Sequence, residues 1–174
     1  MPPVIAEITE SLMRSHINRA VRDVFKIMLG RDPTCSVPGE PGAGGGLPPV
    51  DSHRPQIVGT VGFVGELNGL IYLHFDLAFA RSSTRHLLGM TDAELDAAGD
   101  SVVNDAIGEL TNMTVGSFKN GLCDCGYPCK LTIPTIVRGS NFVIEPISSA
   151  TRHVYYFDCQ EHRVVADILI QKDE

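Results

Sequence analysis

The sequence has no apolar run that approaches the ~20 residues of a membrane-spanning helix, and it has no surplus of basic residues. Its 14 lysines and arginines are outnumbered by 21 aspartates and glutamates, which gives a net charge of −7. A nucleic-acid-binding domain needs a basic face that replaces the counterions of the phosphates, and an anionic membrane surface favours the same charge. We therefore expect neither nucleic acid nor a membrane among the partners of this protein.

The cysteines are irregularly spaced. Five cysteines are an odd number without the spacing of a disulfide framework, which indicates reduced thiols rather than secreted disulfides. Residues 1–7 lack the basic segment followed by an apolar stretch that marks a secretory signal. These two absences predict a cytoplasmic protein.

The length and the hydrophobic content predict one domain over residues 1–174. A domain has typically about 100–200 residues, and the 43% hydrophobic fraction is enough for a sizeable core. The composition changes abruptly between Pro33 and Pro55, where six prolines and five glycines occur. We interpret the region at about 31–55 as a flexible Pro/Gly-rich surface loop of that domain.

The N-terminal half predicts helices around a hairpin. Apolar residues recur at three- and four-residue steps over residues 4–29, which predicts a helix that ends at Gly30. Residues 56–64 and 70–75 are rich in β-branched and aromatic side chains and predict a hairpin with a five-residue loop. A helix over 77–88 capped by Asp76, and a short helix from the capping box at Thr91 to Ala97, should follow.

The C-terminal half predicts one long helix and then strands. The helix should run from Val102 to about Asn120, with Asp100 or Ser101 as its cap. The predicted strands, three or four in number, are 130–137, 141–147, 152–158 and 162–170. Since strands and helices do not alternate strictly, we expect an α+β fold with an antiparallel sheet and long helices packed on it.

The long helix carries the most informative pattern. Its apolar residues fall within one arc centred near Val103, which should face the sheet. The opposite side presents Asp105, Glu109, Asn112 and Gly116 within an arc of roughly 60°. Glu109 and Asn112 are three residues apart and are therefore neighbours on the helix surface.

Two glycines accompany this polar pair. Gly108 and Gly116 lie within a helix, where each glycine costs about 1 kcal/mol relative to alanine. A carboxylate beside a carboxamide is ordinarily a solvated surface pair. The glycines, however, have no side chains, so the surface of a partner could come close to the helix backbone and reach the two projecting polar side chains.

The segment resembles the CheX family of chemotaxis phosphatases, in the wider CheC/FliY/CheX group. The family's signature appears as Asp105-x3-Glu109-x2-Asn112, with Pro134 at about the expected distance. Residues 16–30, 61–75, 79–90 and 134–139 are similar, in order, to further parts of the family. The single copy of the helix motif is more like CheX than the internally duplicated CheC.

The resemblance implies an enzyme that hydrolyses the aspartyl phosphate of a CheY-like response regulator. Asn112 would hold the attacking water and Glu109 would pair with the receiver's lysine. Asp105 would either support them or be a solvated or capping carboxylate, and Gly108 and Gly116 would support them by letting the partner approach. The chain would need no metal or cofactor of its own, because Mg²⁺ and the phosphorylated aspartate belong to the receiver. The resemblance also implies a CheX-like fold and a homodimer. The alternative is a non-catalytic partner or adaptor of a receiver-domain protein.

Other chemistry receives less support from the sequence. Cys123, Cys125 and Cys129 lie within seven residues but lack the C-x2-C spacing of a zinc knuckle, so we expect small half-buried thiols and no metal site. The glycines at 59, 62 and 65 do not lie between a strand and a helix that begins with Lys-Ser/Thr, as a phosphate loop requires. The six scattered histidines accompany no serine in a nucleophile elbow, and surface or packing roles are expected for them.

Overall fold

The computed structural model describes residues 7–40 and 53–171 and has the expected α+β architecture. Four helices and seven strands alternate irregularly along the chain in these ranges. They are α1 (Glu10–Leu29), β1 (Thr34–Ser36), β2 (Gln56–Gly65), β3 (Gly69–Asp76), α2 (Leu77–Leu88), α3 (Asp92–Ala98), α4 (Asp100–Asp124), β4 (Cys129–Leu131), β5 (Thr135–Gly139), β6 (Ala150–Cys159) and β7 (His162–Gln171).

All described strands join one antiparallel sheet in the order β1-β6-β7-β3-β2-β4, and β5 also pairs with β2. Alternate residues of β3 are buried, as the two-residue period of a strand with one buried face requires, whereas β7 also buries Arg163 and Asp167 on its other face. The two long helices, α1 and α4, pack against each other, and α4 also contacts β2. This layer of helices on an antiparallel sheet is the predicted fold.

Most predicted helix ends are confirmed. Gly30 and Gly89 take left-handed conformations with φ of 63° and end α1 and α2. The Asp76 carboxylate accepts a hydrogen bond from the Phe79 amide at 2.6 Å, and Thr91 and Glu94 form a reciprocal capping box. Local chemistry therefore sets these boundaries.

The start of α1 is different from the prediction. Thr9 caps the helix through a 3.1 Å hydrogen bond from the Leu12 amide, so residues 7–9 precede the helix, and residues 4–6 lie outside the described ranges.

The prediction that Asp100 or Ser101 caps α4 is wrong. Gly99 ends α3 and begins α4, with φ of 84°, and it provides no side-chain cap. Asp100 is already helical, and its carboxylate instead lies 3.5 Å from Arg138 on β5. Because one glycine reverses the chain between two helices, there is no separate capping residue.

Three predicted segments differ from the structure. The single strand predicted at 130–137 is divided into β4 and β5 by residues 132–134. Residues 141–147 do not form a strand, because Asn141 has φ of 58° and turns the backbone out of the extended conformation after β5. Within the predicted loop at 31–55, residues Thr34–Ser36 form β1 on β6, and Glu40 is paired with Arg14 of α1 at 2.5 Å. That part of the loop is held by the fold, and residues 41–52 lie outside the described ranges.

In residues 7–40 and 53–171, no helix combines the length and apolar character needed to cross a membrane.

Candidate functional site

The candidate site is built on α4, which β2 holds in place. The α4 residues buried against the rest of the domain are Val103, Ala106, Ile107, Gly108, Leu110, Thr111, Thr114, Val115, Phe118 and Leu122. The rings of Phe63 and Phe118 lie 6.1 Å apart between strand and helix. At Gly59, a Cβ atom would come within 2.1 Å of the Thr111 Oγ1, so only glycine allows this approach. β2 therefore fixes the residue that directly precedes Asn112.

The structure places the predicted polar residues on the outer side of this helix. Asp105 and Glu109 are exposed, whereas Asn112 and Gly116 are half-buried. The side chains of Asp105, Glu109 and Asn112 make no hydrogen bond or ion pair with the described parts of the chain. Their polar atoms are consequently free to bind a partner or water.

The buried arc of α4 is wider than the helical projection predicts. Thr111 and Val115 are buried although the projection does not place them in the apolar arc, and Met113 is only partly buried. The reason is the tertiary structure: β4 and β5 lie beside β2 and cover a second flank of α4.

The two helix glycines face this second flank. A Cβ atom on Gly108 would lie 3.8 Å from the Ile136 side chain of β5, and Gly108 is buried. A Cβ atom on Gly116 would lie 3.7 Å from Leu131 of β4. These are ordinary van der Waals distances, so the fold itself does not require glycine at either position. A supporting role of the glycines in docking stays a prediction.

We expect Gly116→Ala to stabilise the protein. Alanine fits at 3.7 Å from Leu131, and replacing a helix glycine lowers the entropy lost on folding by about 0.5–1 kcal/mol. Thermal unfolding should show a midpoint about 1–4 °C above that of the wild type. If a partner needs the bare backbone at this position, the same variant should bind it more weakly. A lowered midpoint would contradict the space that the structure shows beside Gly116.

A residue that the sequence analysis missed, Arg138, holds the start of α4. Its guanidinium donates to the Asn104 side chain and, at 3.1 Å, to the backbone carbonyl of Asp100. The side chain comes from β5, so the pairing joins the edge of the sheet to the first turn of the helix. Arg138 lies 34 positions after Asn104, and nothing in the local sequence around either residue indicates that they are in contact.

Three cysteines lie near the end of α4. Burial, together with the neighbouring Cys123 thiol, raises the pKa of Cys129. Cys125 Sγ lies 3.3 Å from Nε2 of His16 on α1. No group of three or more His, Cys, Asp or Glu side chains is arranged to hold a metal ion in residues 7–40 and 53–171.

Residues 57–158, a range that includes α4 and its polar face, match the family described as chemotaxis phosphatase CheX. No curated protein sequence matches the chain significantly.

Several solved structures have the same fold. CheX from Vibrio vulnificus is 20% identical with a TM-score of 0.74, and the match covers 95% of this chain and 100% of that one. The CheX-CheY-BeF3-Mg+2 complex from Borrelia burgdorferi matches with 20% identity and a TM-score of 0.67, covering 91% of this chain and 97% of the other. FliY from Thermotoga maritima matches with 17% identity and a TM-score of 0.61, covering 95% of this chain and 92% of that one.

Proposed function

Because this chain belongs to the CheX family of chemotaxis phosphatases, we propose that it hydrolyses the aspartyl phosphate of a CheY-like receiver domain. The observation that carries the proposal is the free polar face of α4. Glu109 and Asn112 lie next to each other on a buried, well-supported helix, and neither side chain has a partner among the described residues.

The chemistry needs positioning more than it needs a reactive group from this chain. In hydrolysis, the oxygen of a water forms a bond to phosphorus while the bond from phosphorus to the aspartyl oxygen breaks. The receiver's carboxylate leaves, and the two protons of the water stay on inorganic phosphate, one of them in exchange with solvent. Phosphoryl transfer of this kind depends on in-line geometry and on stabilisation of charge.

Asn112 is the proposed water-positioning residue. Its carboxamide oxygen accepts a hydrogen bond from the attacking water, and it does so without changing its protonation state. A carboxylate at the same position would bring negative charge towards an already anionic phosphoryl group. The half-buried position of Asn112 on a packed helix restricts the side chain and favours a defined geometry.

Glu109 is the proposed docking residue. Its carboxylate is exposed one helical turn from Asn112 and can form an ion pair with a lysine of the receiver. Asp105 extends the same face towards the first turn of α4, where the helix dipole favours a negative charge. Mg²⁺ is expected in the receiver, in keeping with the Borrelia burgdorferi complex, and not in this chain.

We also propose that the protein acts in the cytoplasm as a homodimer. Among the described strands, β1, β4 and β5 each pair with one neighbour, so both ends of the sheet have backbone groups available to a second chain.

The proposal is tested by the lifetime of the acyl phosphate on a Mg²⁺-loaded CheY-like receiver. We expect the wild-type protein to shorten it, and we expect Glu109→Gln to raise KM by about 2- to 5-fold, because an exposed ion pair contributes up to about 1 kcal/mol. Glu66→Gln, which changes the same charge on the β2–β3 loop, is the control and should leave KM unchanged.

Two results would contradict the enzymatic role. If the wild type binds the phosphorylated receiver and leaves its lifetime unchanged, the protein is a non-catalytic adaptor. If it neither binds nor accelerates decay with any receiver of its own organism, the partner class itself is wrong.

A further inference from the structure

The strands beside α4 contain a β-bulge at Ile133 and Pro134. Leu131 pairs with Phe63 and Thr135 pairs with Thr60, so residues 132–134 on one side oppose only Val61 and Gly62 on the other. Thr132 is hydrogen-bonded to Gly62 through its amide and its hydroxyl, both at 2.8 Å. Ile133 and Pro134 together therefore oppose Val61. Such bulges occur often at sheet edges and beside active sites, where they redirect a side chain.

The bulge lies opposite Asn112. Residues 108, 112 and 116 follow one face of α4 at four-residue steps. Gly108 faces Ile136 of β5, and Gly116 faces Leu131 of β4. The middle position, Asn112, consequently faces the segment that joins these two strands, which is the bulge.

Ile133 projects from this bulge almost completely into solvent. Its side chain is 87% exposed, the highest value among the large hydrophobic residues described as exposed. The backbone on both sides is restrained, by the Thr132 hydrogen bonds to Gly62 and by the ring of Pro134. Because the backbone that carries Ile133 is already restrained, a partner that covers this side chain need not order the backbone as well.

We propose that Ile133 is a docking residue for the phosphorylated receiver domain. The proposal rests on the proposed function, which brings the receiver's phosphorylation site to Asn112. A receiver that places its acyl phosphate at Asn112 also approaches the bulge, and Ile133 packs on apolar surface at the rim of the phosphate pocket. Glu109 and Ile133 would then contact the receiver on two sides of Asn112. These two contacts would fix how deeply Asn112 enters the receiver's phosphorylation site.

The test compares Ile133→Gln with the matched control Ile27→Gln. Ile27 is 78% exposed on α1, so both changes replace an exposed isoleucine with a polar side chain of similar size. Dissociation constants are measured with a CheY-like receiver loaded with Mg²⁺ and beryllofluoride, and KM and kcat are measured with the acyl phosphate. We expect Ile133→Gln to raise Kd and KM by about 10- to 50-fold, which corresponds to burial of one isoleucine side chain.

The outcomes separate this inference from the proposed function. If the wild type is active and Ile133→Gln has the Kd and KM of Ile27→Gln, Ile133 does not contact the receiver and the inference is wrong. A loss confined to kcat, with Kd unchanged, also overturns it, because a docking residue must change affinity. If the wild type neither binds nor dephosphorylates the receiver, the proposed function fails first, and the inference fails with it.

Discussion

Replacing Asn112 with alanine should reduce kcat for receiver dephosphorylation by about 100- to 1000-fold, the usual loss when one positioned hydrogen-bonding group is removed from an active site. The carboxamide has no partner among the described residues, so its removal leaves no unpaired group within this chain. The expected loss is therefore one of catalysis and not of folding. The lifetime of the receiver's acyl phosphate, measured at saturating concentrations of the variant, gives kcat directly.

Asn120→Ala is the matched control for this prediction. Asn120 lies on the same helix and is exposed, so the two substitutions are alike in chemistry and in their cost to the helix. The control should keep the wild-type kcat, and both variants should bind the beryllofluoride-loaded receiver. Equal activity of Asn112→Ala and wild type would rule out the water-positioning role. A loss of binding without a loss of kcat would make Asn112 a docking residue instead.

Much of the fold could be predicted because local patterns determine it. The hairpin of β2 and β3 has its strand residues and its loop in adjacent positions, and the cap of α2 needs only Asp76 and the next three residues. The predicted strand at 141–147 is wrong because composition alone indicated it, without a partner strand that the sequence could identify. Its Val143 is β-branched and apolar but 78% exposed, so composition predicted a pairing that the backbone does not make after Asn141.

The candidate site was predictable in its polar residues and not in their surroundings. Helical periodicity alone places Asp105, Glu109 and Asn112 on one face, and two of the three are exposed as expected. Which elements flank that face depends on pairings between distant segments. The contacts of Gly108 with Ile136 and of Asn104 with Arg138 join residues about 30 positions apart, and neither residue pattern indicates the pairing.

The glycine at position 59 illustrates this difference. In the sequence it belongs to a glycine series that lacks the context of a phosphate loop, and no role follows from the series itself. In the structure it allows Thr111 to lie against β2. The position of the helix that carries Asn112 therefore depends on a strand residue more than 50 positions earlier.

Gly59→Ala should accordingly destabilise the protein. The new Cβ atom would lie 2.1 Å from the Thr111 Oγ1 and 2.9 Å from its Cβ atom, so the helix or the strand must move. Overpacking of a well-filled core costs about 1–3 kcal/mol. The midpoint of thermal unfolding should therefore fall by roughly 2–12 °C, whereas Gly116→Ala, the same substitution where space is available, should not lower it. An unchanged midpoint for Gly59→Ala would contradict the close approach of β2 and α4.

The same substitution should also lower activity, because Thr111 is directly followed by Asn112. A shift of about 1 Å in a positioning residue can reduce a rate by about 100-fold, so we expect kcat to fall by about 10- to 100-fold in protein that is still folded at the assay temperature. Thr111→Ala removes the Oγ1 atom, which lies nearest to the new methyl group, and the Cγ2 atom, but it keeps the Cβ atom at 2.9 Å. The double variant should therefore recover part of the stability and of kcat. If the double variant recovers stability but not kcat, the position of α4 is not what limits the single variant. If Gly59→Ala keeps full activity although it is less stable, Asn112 tolerates the displacement, and the water it holds need not be positioned as closely as we propose.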